Sequence, residues 1–145
     1  MKLERAFPIE DPSVELPWGL SRSGIESLLQ GYRVESVADG RLRLRCRILG
    51  GLSSAVDLHF EPGGQRRFRQ VELLRTPARH KRREFADMQG RLETWLGPGE
   101  AMESNPTARA EGIAPQRWRL GRLTVTHDYY YYSALYEKVL FDWAG

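Results

Sequence analysis

The chain has 145 residues, enough for one compact domain, with 41% hydrophobic and 28% charged residues, as in ordinary soluble globular proteins. No apolar run approaches the length needed to cross a bilayer, and the single cysteine, Cys46, excludes an internal disulfide. The net charge of +3 comes mostly from arginine, since Lys2, Lys81 and Lys138 are the only lysines. Nineteen acidic residues are spread through the chain, so this mild excess does not mark a dedicated nucleic-acid binder. The start, MKLERAFPIEDPSVELPWG, carries acids and three prolines where a secretion signal would need an apolar core. Reduced cysteine and no such signal imply a cytoplasmic protein.

Residues 1–17 read as an extended lead-in, because Pro8, Pro12 and Pro17 disfavour regular structure around them. Trp18 follows, placed to close one end of a core. Ser23 and Glu26 have capping-box spacing, and Ile25, Leu28 and Leu29 give a short helix one apolar edge before Gly31. A run of strands comes next. Tyr32–Val37 leads into Asp39-Gly40, a hairpin signal. From Arg41 to Ile48, Leu42, Leu44, Cys46 and Ile48 alternate with four arginines, so one face is apolar and the other basic. Leu49–Ser54 is a glycine-containing loop. Val56, Leu58 and Phe60 then face inward, with Asp57, His59 and Glu61 outward. Phe68–Arg75 forms a fourth strand, and the broken parity of Phe68 and Val71 predicts a bulge or shifted start.

Thr76-Pro77 suits a helix start. From Arg83 to Gly99, Phe85, Met88, Leu92 and Trp95 recur at steps of three and four, and Leu96 widens the stripe. Gly97-Pro98-Gly99 stops this helix, which is long enough to pack across the strands before and after it. Residues 100–115 read as a long polar surface loop. Gln116–Leu120, Arg122–His127 and Leu135–Trp143 are strand-like. The fold expected is α+β: an antiparallel sheet of about seven strands with one long and one short helix on one face. It forms a single domain, 1–145, divisible into helix-then-sheet halves at 18–76 and 77–145.

Several residue groups carry chemistry. Arg79-His80-Lys81-Arg82-Arg83 would place cations in the first turns of a helix capped by Thr76, against the macrodipole, at a cost of about 0.3–1 kcal/mol each. Such a local conflict suits a grip on phosphates or on an acidic partner. The simpler alternative starts the helix nearer Glu84 and leaves the run as a solvated loop. Asp57, His59 and Glu61 project on one side and have the chemistry of metal ligands, but no second cluster completes a coordination set. No phosphate loop, dinucleotide fingerprint or nucleophile motif is present, so no enzyme, cofactor or metal site is expected. Cys46 shares the parity of its apolar neighbours and reads as a buried small hydrophobe. His127 and Asp128, adjacent on a strand, point oppositely. The best binding candidate is Tyr129, Tyr130, Tyr131 and Tyr132: four consecutive rings cannot all face one core, and exposed tyrosine is favoured in binding hot spots. With Arg79, Lys81, Arg82 and Arg83 these residues form the expected partner surface, for a protein or, alternatively, for nucleic acid through phosphate contact and base stacking.

The segment Phe85–Pro98 (F…M…L..WLGPG), a variable loop, the isolated Trp118 and an amphipathic last strand resemble small bacterial α+β proteins, several of them immunity proteins that bind and silence a toxin. The helix-plus-sheet halves are similar in architecture to tandem-repeat β-lactamase inhibitor proteins. The resemblance implies a non-enzymatic, cytoplasmic inhibitor with a protein partner and assigns no functional residue. The slightly basic charge points to a neutral or acidic target.

Overall fold

The computed structural model describes residues 3–75, 81–132 and 134–145, the side chains of Leu74, Lys81, Tyr132 and Ala134 excepted. Thr76, Pro77, Arg79 and His80 lie outside the described residues. The chain begins with a hairpin, β1 (Ala6–Ile9) and β2 (Val14–Pro17), rather than an extended lead-in. Prolines are tolerated here because a two-stranded ribbon has edges where a missing N–H is not needed. Its apolar side supplies Phe7, Ile9 and Leu16 to the core. Trp18 is buried, donates its indole N–H to the Leu3 carbonyl at 2.8 Å and stacks on Phe68 with centroids 4.7 Å apart.

Helix α1 (Arg22–Leu28) is capped by Ser21 and not by Ser23: the Ser21 hydroxyl accepts the Gly24 N–H. An eight-stranded antiparallel sheet follows, built from β3 (Val34–Ser36), β4 (Leu42–Ile48), β5 (Leu52–Phe60), β6 (Phe68–Arg75), β7 (Glu100–Ala101), β8 (Gln116–Leu120), β9 (Leu123–Tyr132) and β10 (Ala134–Trp143). The spatial order is β3-β4-β5-β6-β10-β9-β8-β7, so two meanders of four strands meet at the β6–β10 pair. The broken parity of β6 corresponds to a register shift: His59 lies opposite Gln70, but Phe60 lies opposite Phe68.

Helix α2 (Lys81–Leu96) lies between the two meanders in sequence and contacts both. Met88 and Leu92 enter the same core as Leu44, Val56, Val71, Val139 and Val125. Near its other end, Arg91 donates to the carbonyls of Leu49 and Gly50 in the β4–β5 turn. Gly97, at φ 79°, closes the helix by donating its N–H to Glu93. The Gly97 carbonyl then accepts the Trp118 indole N–H at 2.8 Å, which ties the helix end to β8. Residues 100–115 are not a long loop. They contain β7 and the short helix α3 (Pro106–Ala110), whose cap Asn105 accepts the Ala108 N–H and donates to the Tyr129 carbonyl.

The registers separate two faces of the sheet. Leu42, Leu44, Val56, Leu58, Val71, Leu73, Val139, Phe141, Val125 and Trp118 face the helices and are buried. Arg43, Asp57, Glu72, Leu140, Thr126, Arg117 and Glu100 make a cross-strand row on the other side. None of the described helices covers that side. No helix among the described residues is long and apolar enough to cross a membrane.

Candidate functional site

The strand-forming tyrosines extend β9 through Tyr132, past the expected end at His127. Alternation then sends them different ways. Tyr129 faces the helices and is wholly buried, so it belongs to the core and not to an exposed tyrosine surface. Tyr130 lies on the open face, half-buried, with its ring 5.9 Å from that of Tyr136 on β10. Tyr131 shares the parity of Tyr129 but sits nearer the hairpin tip and is 63% exposed. The Tyr132 side chain lies outside the described residues.

The basic run meets these tyrosines at one end of the molecule. The described helix runs from Lys81, and residues 76–80 lie outside the described residues. Arg82 and Arg83 are exposed on its first turn. One turn on, Phe85 packs with Ala108, Ile113 and Tyr129 in a small apolar cluster, against which Leu135 also rests. The Arg82 guanidinium crosses over Gly112, where an added Cβ would lie 3.6 Å from it. Phe85 thus fastens the start of α2 to the tyrosine hairpin and to α3. Arg79 and the Lys81 side chain, the other proposed cations, lie outside the described residues.

Beneath this end lies a buried polar group that sequence reasoning missed. The His127 ring is wholly buried and stacked on Phe85, centroids 3.7 Å apart. Gln89 donates its amide N–H to Glu93, which leaves its carbonyl oxygen to accept the His127 Nδ1–H at 2.8 Å. On the other side, His127 Nε2 and the buried Glu137 Oε2 are hydrogen-bonded at 2.6 Å. Arg75 Nη1 lies 3.5 Å from the second Glu137 oxygen. Both ring nitrogens are therefore committed and no water reaches them, so the group is suited to holding α2 on the sheet and not to moving a substrate proton. The signal was one of parity: His127 and Glu137 fall on the core-facing phase of Leu123, Val125, Val139 and Phe141. The Tyr129 hydroxyl, buried on the same face, has no hydrogen-bond partner among the described residues. Burial raises this phenol above its ordinary pKa, and the carboxylates of Glu111, Glu137 and Glu84 push the same way.

The open face is polar and largely self-neutralised. Asp57 and Glu72 lie directly opposite each other, and each has cations of its own. Arg43 donates to both Asp57 oxygens at 2.7 and 2.9 Å, and Arg41 donates to one at 3.1 Å. Glu72 receives His59 and Lys138, both at 3.1 Å. The proposed metal trio is thus divided: Asp57 is held by two arginines, and His59 is turned to Glu72. Among the described residues no group of three His, Cys, Asp or Glu side chains is placed to hold a metal ion. Cys46 is buried, and burial pushes its thiol up to about 11, so it carries little thiolate at neutral pH. No protein-family model, curated protein or solved structure matches this chain.

Proposed function

We propose that this chain is a non-enzymatic protein-binding protein, of the immunity type that occludes a toxin or effector. The observation that carries the reading is the meeting of the two sequence candidates at one end. Arg82 and Arg83 of α2 and Tyr131 of β9 are exposed around the cluster of Phe85, Ala108, Ile113 and Tyr129. Exposed tyrosine and arginine are the residues favoured at protein interfaces. The partner's chemistry follows from the charge: an acidic or neutral surface with an apolar pocket for the Tyr131 ring. Tyr130 and Tyr136 extend the aromatic area onto the open face. Binding would proceed by occlusion, which needs shape and charge but no reactive group.

The test is capture from host lysate on immobilised protein, with and without nuclease treatment, using the unaltered chain, Tyr131→Ala and Arg82→Glu/Arg83→Glu. The expected result is one stoichiometric acidic protein that survives nuclease. Both variants should lose it while keeping the melting temperature of the parent. Material that disappears on nuclease digestion, with binding that weakens steeply as salt rises, would replace this reading with the nucleic-acid one.

A further inference from the structure

A second site lies far from the tyrosine hairpin, at the outer edge of β4. Two different segments share that edge. Strand β3 pairs only with Leu42–Leu44, and Asp11 takes over at Arg47 through an isolated bridge. Between them a concavity of about 330 Å³ opens, lined by Pro12, Tyr32, Arg33, Glu35, Arg43, Leu44 and Arg45. This volume falls at the small end of the range for small-molecule sites, about 300–1,000 Å³.

The arginines here are of two kinds. Arg43 is committed to Asp57. Arg33 and Arg45 are exposed and both line the concavity, Arg33 just before β3 and Arg45 just past the Val34↔Leu44 pair. No acidic group of the described residues lies within ion-pair reach of either. Two uncommitted guanidiniums at the mouth of a concavity favour a carboxylate, whose two oxygens match the guanidinium fork. Glu35, on the same rim, argues against a polyanion such as nucleic acid, which it would repel, and offers an acceptor for an ammonium group. Tyr32, 47% exposed, and Pro12 supply apolar surface beside these charges.

We propose that this concavity binds a free α-amino acid with an apolar or aromatic side chain. The carboxylate lies between Arg33 and Arg45, the ammonium meets Glu35, and the side chain rests on Tyr32 and Pro12. This site is independent of the partner surface proposed above, and either can fail without the other.

Three probes separate the contributions: L-phenylalanine, 3-phenylpropionate (no ammonium) and phenethylamine (no carboxylate). Each is titrated to about 10 mM by calorimetry or ligand-observed NMR, a range that reaches millimolar dissociation constants. L-phenylalanine should bind tightest. Arg45→Gln should weaken it about tenfold, as expected for loss of a hydrogen bond between charged groups. Glu35→Gln should weaken L-phenylalanine severalfold and leave 3-phenylpropionate unchanged or tighter. Arg122→Gln, on another part of the surface, should change nothing. Thermal melts of each variant, expected at the parent's temperature, exclude loss of fold. Absence of binding by L-phenylalanine, or binding unaltered in Arg45→Gln, overturns the proposal; equal binding of 3-phenylpropionate overturns the amino-acid assignment.

Discussion

Two histidine–glutamate pairs of the same chemistry stand on opposite faces of the sheet. His127–Glu137 lies beneath α2 with side chains 0% and 2% exposed, at 2.6 Å. His59–Glu72 lies on the open face with side chains 27% and 13% exposed, at 3.1 Å. The open-face pair is part of a network in which Lys138 also serves Glu72, and water can replace any lost partner. Among the described residues the covered pair is joined by Gln89 and Arg75. A buried ion pair contributes little net stability when intact, because desolvation offsets the attraction, but removing one member leaves a charge that no solvent can screen. The same contact therefore acts as a fastening on one face and as surface neutralisation on the other.

The largest effect expected is at Glu137. Glu137→Ala should destabilise the fold by about 3–5 kcal/mol, since His127 and Arg75 lose their common carboxylate inside the protein. Glu72→Ala should cost about 1 kcal/mol or less, the scale of an exposed pair. Urea unfolding of the two variants side by side decides the matter. Equal losses would erase the distinction between the faces.

Acid sharpens the same contrast. The hydrogen bond from His59, followed by that from Lys138, lowers the Glu72 pKa from 4.5 to about 2, against an opposing push from burial. Because the folded value lies below the unfolded one, the stabilisation is complete above about pH 4.5 and is lost as pH falls toward 2. After allowance for solvent screening it amounts to no more than about 1 kcal/mol. In the parent, stability should fall across that window by more than in Glu72→Gln, so that the two curves converge at the acid end. Parallel curves would mean that Glu72 titrates normally in the folded protein.

How much of this was legible in the sequence depends on how locally each feature is encoded. The alternation of leucine and arginine in β4, the Phe85–Met88–Leu92 stripe and the Gly97 stop are local patterns, and each formed the element it implied. The first hairpin was hidden because Pro8 and Pro17 read as breakers, although an edge ribbon accommodates them. Helix α3 spans five residues, too few for any periodicity. Its one signal was Asn105-Pro106, a cap followed by a proline at the first helical position. The partnership of His127 and Glu137 required the β9–β10 register, which no local pattern reveals. The tyrosine surface was half visible. The sequence required some rings to leave the core, and only the register shows that Tyr131 does so while Tyr129 does not.

The smallest expected effect concerns the hydroxyl that the covered face leaves without a partner. Tyr129 is wholly buried and its oxygen makes no hydrogen bond among the described residues, so folding strips water from a polar group that gains no partner there. Removing that oxygen while keeping the ring should therefore stabilise the protein, by about 1 kcal/mol, the low end of the cost of an unsatisfied buried group. Tyr129→Phe should raise the urea midpoint without altering the slope, because the ring still fills the cluster with Phe85, Ala108 and Ile113. Partner capture should be unchanged in Tyr129→Phe and lost in Tyr131→Ala, although the two residues are separated by a single position on the same strand. A destabilised Tyr129→Phe would mean that the hydroxyl is satisfied in solution, as by a buried water between it and the neighbouring carboxylates. The covered face would then hold a polar network wider than His127, Gln89, Glu137 and Arg75.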